Sequence, residues 1–533
     1  MATTYRDLVA KHGSYRRAAK ATGIPRTTFF DRWKKESATT SFSQKLDRVK
    51  TAEVGKNKVK RYIFTCAVRG APVHADFLAN LEAYAVEIGA ELIIGPLTNS
   101  NRQRYADVDE EEFDDAVRLY ISDDPLVIGD RVRYSPECNL TATCVKPLQG
   151  LQTFTKRMWG VFPHTKICLE SIPTHKDRPT KLNVTTGAVT HGHYSPTKAG
   201  FRAKFDHVYG AVVVEVTDKG AWMRHISPSN DSDGTFFDLG YKVERRKVGG
   251  YGGVEAIVYG DIHVEKLDPA CSLATWRYQP SPVEQPVPKQ FVSLVELLQP
   301  RTHVFHDLLD MTAINYHDIR NMFKRYERYC TAEEDNLVYM IHKARWFLEH
   351  VYQTGKSESE MVVVDSNHDH FLDKWLLDFN PEVTGDLTNA IEFYKLKAAV
   401  LETIRDRGEL GRLELALRLF TGDTDIYDEV RFLEADESYE LFGIELGWHG
   451  HRGSNGSRGS RGSFKFVTEK SVTAHIHSAW IDSGSYIVGT ASNLDLGYNE
   501  GPSSWSHTHA IIYPNGMRSL VTMSDNKFWS DQA

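Results

Sequence analysis

Five short polar motifs, each set just behind an apolar run, constrain this chain more than any other feature of its 533 residues. They read GDIH (Gly260–His263), HDLLD (His306–Asp310), SNHD (Ser366–Asp369), GWHGH (Gly447–His451) and AHIH (Ala474–His477). Val254–Tyr259 (VEAIVY) is a continuous apolar run behind a glycine, which predicts a buried strand. It delivers Asp261 and His263, two residues apart, to one side of the chain. Thr302–Phe305, Met361–Asp365 and Ile444–Trp448 predict further strands that lead into Asp307, into Asn367 and His368, and into His449. Val472–His477 alternates, which predicts that His475 and His477 share one face. Asp, Asn and His are the hard-to-borderline ligands that suit Mn, Fe, Zn or Mg. Ligands hung from successive strand ends imply an α/β scaffold.

The order and content of the motifs resemble the calcineurin-like metallophosphoesterase superfamily, whose pattern runs DxH, GDxxD, GNH before Asp or Glu, a lone His, and GHxH. The resemblance spans roughly residues 250–515. It implies an α/β sandwich of two sheets flanked by helices. It also implies that Asp261, His263, Asp307 and His477 hold one divalent ion, and that Asp307 (bridging), Asn367, His449 and His475 hold a second. On the same pattern His368 protonates the leaving oxygen and Asp310 orients it. Two cations about 3.5–4 Å apart activate water and clamp a phosphate. Mn is the expected metal, with Mg, Fe or Zn as alternatives.

Some positions depart from the pattern or leave a choice. His306, Ser366 and Ala474 stand where the family has Gly, which implies an altered backbone there. His451 is an alternative to His449. Asp310 has the alternative role of capping a following helix. His507 and His509 (SHTH) form a second HxH, but Ala474–His477 follows the fourth motif closely and leads into the apolar run IVGTAS. His191 and His193 (THGHY) lack an accompanying carboxylate set and read as ordinary histidines.

Charge divides the chain. Its formal net charge is −7, yet residues 1–60 carry 15 Lys+Arg against 5 Asp+Glu. A basic arm on an acidic body implies an anionic partner, most simply nucleic acid. Thr4–Lys11, Ser14–Ala21 and Pro25–Lys35 predict three short helices, with Gly13 and Gly23 as stops and Pro25 suited to a first turn. The stretch SYRRAAKATGIPRTTFFDRWKK resembles a helix-turn-helix. That implies Arg26, Thr27, Thr28 and Arg32 at DNA, over a core of Ala18, Ala19, Ile24, Phe29 and Trp33. A three-helix protein-interaction module is the alternative.

The expected organisation is a helix-turn-helix module at 1–36, a linker at 37–60, an additional α/β domain at 61–247, and a catalytic domain at 248–533 with a helical insertion near 380–435. The second of these opens as strand (Arg61–Val68), helix (His74–Gly89) and strand (Glu91–Pro96), with a further strand at Gly210–Thr217. After the fourth motif, HRGSNGSRGSRGSFK places Arg452, Arg458 and Arg461 on a Gly/Ser-rich loop, where they suit a phosphate backbone. The six cysteines lack CxxC spacing and read as reduced thiols. No run approaches a membrane span and the N-terminus lacks a signal-peptide core, so a cytoplasmic protein is expected.

The motifs are shared by phosphatases, nucleotide phosphodiesterases and SbcD-type nucleases, so the basic arm and Arg-bearing loop decide for a metal-dependent nuclease acting on double-stranded DNA. The chain is also similar to the pre-early proteins of T-five-like coliphages, a family implicated in host-DNA degradation and DNA transfer. That resemblance implies a phage-encoded enzyme in the bacterial cytoplasm. A phosphatase or nucleotide phosphodiesterase, and a non-catalytic DNA-binding regulator, are the alternatives. A homo-oligomer is left open.

Overall fold

The computed structural model describes residues 49–533 apart from 99–112, 230–232, 281–286, 288–289, 316–320, 331–335, 356–358, 382–386, 423 and 533. Before residue 49 it describes 5, 8, 11, 15–25, 28, 29 and 32. The protein is a mixed α/β structure. A six-stranded sheet runs in the order Val430–Phe432, Glu360–Val363, Thr302–Phe305, Ala256–Val258, Thr508–Ile512, Arg518–Thr522. Its first four strands are parallel, and the last two add antiparallel. The first three motifs therefore leave the C-terminal ends of three adjacent parallel strands, which is where open α/β sheets gather their ligands.

Strand alternation builds two cores from these short segments. Ala256, Val258, Val304, Val362 and Val364 face a second sheet, against Val472, Ile481, Val488 and Leu446. Ile257, Tyr259, Phe305, Met361 and Val363 point the other way, onto Leu337–Thr354 and neighbouring helices. Each fully buried Val, Ile or Phe contributes about 1.5–3 kcal/mol, so this double burial fixes the strand register and with it the motif positions.

The second sheet has eleven strands, ordered Lys50–Ala52, Leu126–Ile128, Val132–Tyr134, Trp159–Phe162, Lys181–Thr185, Cys168–Ile172, Trp480–Asp482, Ser485–Ile487, Ser471–Thr473, Ile444–Glu445, Glu440–Leu441. It draws strands from both sides of residue 247. The join is Cys168–Ile172 against Trp480–Asp482, antiparallel. Lys50–Ala52, inside the stretch expected as linker, is its outermost strand. A four-stranded sheet (Ala221–Ile226, Ala211–Val216, Lys60–Val68, Ala90–Leu97) carries the expected strand–helix–strand opening. Its helix, Ala75–Ile88, is capped by the His74 ring and stopped by Gly89 at φ 63°. Within the expected insertion, Ala390–Arg405 and Arg412–Thr421 are helices. All six cysteines are free. No helix among the described residues is long and apolar enough to cross a membrane.

In the N-terminal arm, Tyr15–Thr22 is helical and Gly23 follows at φ 69°. Ala18, Ala19 and Phe29 are buried together, with Tyr5, Leu8 and Ile24 packed against them. Thr28 and Arg32 are exposed, and Arg32 donates to the Tyr5 hydroxyl at 2.9 Å. Arg26, Thr27 and Trp33 lie outside the described residues.

One buried ion network ties the four-stranded sheet to its surroundings. Arg224 meets Asp238 at 2.5 Å and Glu215 at 2.8 Å. Tyr84 donates to Asp238 at 2.6 Å, and the Ser530 N–H to Glu215 at 2.8 Å. Burial alone would raise the Glu215 pKa, but Arg224 and Ser530 together hold it below the ordinary value. Arg224→Met strands two buried carboxylates and should lower unfolding stability by about 3–5 kcal/mol in denaturant melts. Glu215's contribution is complete above its unfolded pKa of about 4.3 and is lost as pH falls through the depressed folded value. The wild-type stability should therefore drop below about pH 4.3 more steeply than that of Arg224→Met.

Candidate metal centre

The backbone of the centre is a continuation of the sheets. Past the strand ends, Ile262 N–H bonds the His306 carbonyl at 2.9 Å and His263 N–H bonds the Asp307 carbonyl at 2.7 Å. From the other sheet, Ala474 N–H bonds the His449 carbonyl at 2.7 Å. Gly260 is needed for close approach: a Cβ there would lie 2.7 Å from the Gly489 carbonyl carbon. His509 braces the same point, its Nδ1 accepting from Gly260 N–H at 3.0 Å, while His507 bonds the Ser492 carbonyl. The SHTH pair is thus structural support behind the centre.

Side chains converge as follows. One ligand atom from each of Asp261, His263, Asp307 and His477 falls within 4.8 Å of the others, and all four residues are buried. Asp261 Oδ2 lies 2.8 Å from His477 Nε2, and His263 Nε2 lies 3.3 Å from the same nitrogen. Asp307 Oδ2 is 3.7 Å from His263 Nε2 and 3.3 Å from His449 Nε2. His449 Nε2 is 3.0 Å from Asn367 Oδ1, and its ring centroid is 5.2 Å from that of His475. Asp307 therefore stands between the two residue sets expected from the motifs. His451 lies beside His449, its ring 5.4 Å away, and groups with Asp365 and His370, while His449 is the residue of that motif that meets Asp307 and Asn367.

One expectation about local backbone, the shared strand face of His475 and His477, needs correction. His306, Ser366 and Ala474 are not in the left-handed region; the positive φ values fall on Asp307 (44°), His475 (70°) and His477 (58°), with His263 at 45°. The cost, about 1–3 kcal/mol each, sits on the ligand-type residues themselves. The strand of the fifth motif ends at Thr473, so His475 and His477 meet through a turn and not through strand alternation. His306 supplies a further buried imidazole, its ring 5.5 Å from His449.

Charge states suit cations. Burial would raise the Asp261 carboxyl, but His477 and His449 hold it at about 2. Asp307, also buried, is pulled well below the carboxylate range by His449 and His368. Burial, with His368 beside His263 and His449 beside His475, lowers both imidazoles to about 4, leaving them neutral as metal ligation requires. His449 is opposite in sense, raised to about 9 by Asp307 and Asp261 against its burial. Asp307 Oδ1, His449 Nδ1 and His477 Nδ1 have no hydrogen-bond partner among the described residues. Buried orphan donor atoms of this chemistry fit a divalent metal.

His368 stands beside this cluster. Its Nδ1 is 2.8 Å from the Asp310 carbonyl and 3.8 Å from the Asp310 carboxylate. Asp310 holds it chiefly through backbone, while its carboxylate reaches His263 Nδ1 at 3.5 Å and accepts from Thr312 at 2.5 Å. Burial lowers the His368 pKa less than Asp307 and Asp310 raise it. Sequence reasoning missed Glu265, which accepts from the Asp310 and Met311 N–H groups at 2.7 and 3.0 Å and clamps that loop. It also missed Trp505, whose ring packs 4.2 Å from His477. Neither carries a motif; only the fold brings them here. Of the loop arginines, Arg452 sits on His370 at 3.2 Å, Arg458 is exposed, and Arg461 lines a different cavity beside Glu170 and Trp480.

Fold and centre define a mixed α/β protein with a buried His/Asp cluster able to hold metal ions. No family model matches the chain, and no solved structure matches it. Among curated proteins it is similar to Protein A1 of Escherichia phage T5, with 33% identity over 481 residues, 88% of this chain and 83% of that protein. The chain belongs to the family of Protein A1.

In titration calorimetry with Mn, His449→Ala should weaken binding at least tenfold, whereas His451→Ala should leave it unchanged. The reverse pattern would exchange the roles of these two residues.

Proposed function

We propose that the protein is a metal-dependent nuclease that hydrolyses DNA phosphodiester bonds, built on a calcineurin-like metallophosphoesterase sandwich. The observation that carries this reading is Asp307, which lies within 3.7 Å of His263 and 3.3 Å of His449 and so joins two ligand sets. Asp261, His263, Asp307 and His477 would hold one divalent ion; Asp307, Asn367, His449 and His475 would hold the other. Mn is the preferred identity on ligand chemistry. When bound, such ions supply an activated water and neutralise phosphate charge.

The chain's own residues supply the rest. His368 has its Nδ1 engaged by the Asp310 carbonyl at 2.8 Å. Asp307 and Asp310 favour its protonated form. It is therefore set to give a proton to the departing oxygen, a step worth about 10²–10⁴ in rate. Arg452, held by His370, sits in a cavity it shares with His449 and is placed to bind a phosphate.

DNA is favoured as substrate by the basic arm, whose Ala18/Ala19/Phe29 core supports a helix-turn-helix with Thr28 and Arg32 outward. Kinship with a phage protein supports a role in degrading host DNA in the bacterial cytoplasm. The experiment is Mn-dependent cleavage of linear and supercoiled duplex. His368→Ala should keep metal and lose about 10²–10⁴ in turnover, and Asp307→Ala should lose both. Full cleavage by Asp307→Ala at limiting metal would end the assignment.

A further inference from the structure

The 61–247 region holds a cavity of about 520 Å³ whose lining includes Arg131, Lys156, Arg157, Arg178 and Lys181 against one carboxylate, Asp130. In a chain of net charge −7 this is a local reversal of sign. Lys181 is 3% exposed, and its ammonium donates to the Gln152 and Lys156 carbonyls at 2.6 and 2.9 Å. Arg131 donates to the Asp218 carbonyl at 2.6 Å. At Lys181 and Arg131 these acceptors are carbonyls, which satisfy N–H groups without supplying a counter-charge. Lys156, Arg157 and Arg178 are exposed around this fixed floor. Five cations set against Asp130 in the lining and Asp177, which pairs with Arg178 at 3.8 Å, leave the cavity net positive, and an anion between them would relieve their repulsion.

Its position narrows the choice of anion. The Pro173–Thr180 connection forms part of the cavity wall and joins Cys168–Ile172 to Lys181–Thr185. Ser171 N–H bonds the Ala479 carbonyl at 3.2 Å, two residues from His477. Thr174 and Ser503 exchange backbone bonds of 2.9 and 2.8 Å, and the Thr180 hydroxyl bonds the Trp505 carbonyl. Trp505 is the residue packed on His477. The cavity wall is thus hydrogen-bonded to the segments that carry His477 and Trp505.

We propose that this cavity is a phosphate-binding groove that holds the DNA backbone beside the centre, and that the 61–247 region exists in part to provide it. The proposal rests on the DNA reading above. Long cationic stems around a fixed Lys suit a repeating polyanion read without sequence preference.

The test is duplex binding by the full chain in EDTA, followed by fluorescence anisotropy over a salt series. The groove variant is Lys156→Gln/Arg157→Gln/Arg178→Gln, and the control neutralises exposed Lys247, Lys395 and Arg407 to Gln. The slope of log affinity against log salt should become shallower by about 2–3 in the groove variant and stay unchanged in the control. Mn-dependent hydrolysis of bis-p-nitrophenyl phosphate should be equal in all three. A wild-type slope in the groove variant, or the same loss in the control, overturns the proposal. Retained duplex binding with loss of pyrophosphate binding overturns it too, by assigning the cavity to small phosphates. Because binding is read without metal, a chain that hydrolyses nothing yet shows the shallower slope sinks the nuclease reading and leaves the groove standing.

Discussion

Two carboxylates, Asp261 and Asp307, are buried where two sheets meet, and the surrounding structure is arranged around their charge. An isolated buried carboxylate costs several kcal/mol. Here each is faced by imidazoles: His477 and His449 at Asp261, His449 and His263 at Asp307. His263, His477 and Asp307 itself sit at positive φ, a backbone conformation that side chains rarely adopt. Backbone strain and buried charge in one place mark a functional centre more firmly than either does alone.

Much of the centre was legible in the sequence because strand ends and ligand-type residues are local properties. The runs VEAIVY, THVF and MVVV predict strands, and strands put Asp261, Asp307 and Asn367 at adjacent sheet ends. The helix at Ala75–Ile88 was legible for the same reason, with its glycine stop in place. The fifth motif was legible in content and not in geometry, since alternation after Thr473 gives way to a turn. Glu265, Trp505, His509 and His306 were not legible as parts of the centre. Their roles depend on which loops the sheets bring together, from Glu265 on Asp310, 45 residues apart, to His509 on Gly260, 249 residues apart.

The domain picture shows the same limit. Composition and strand patterns suggested a boundary near residue 247, but hydrogen bonding between Cys168–Ile172 and Trp480–Asp482 makes one sheet of both regions. Pairing between distant strands leaves no local signature, because an edge strand and a central one read alike. The consequence is mechanical: the segments that carry His449 and His475/His477 belong to a sheet whose other half is the 61–247 region. Changes in that region reach the centre through shared backbone bonds such as Ser171 to Ala479.

The most direct measurement is the number of metal ions the folded chain holds, counted by native mass spectrometry after loading with Mn. Electron paramagnetic resonance of the same sample reports whether the ions are coupled. Two coupled ions per chain are expected. A chain that stays folded and holds no Mn at saturation would contradict the two-metal reading.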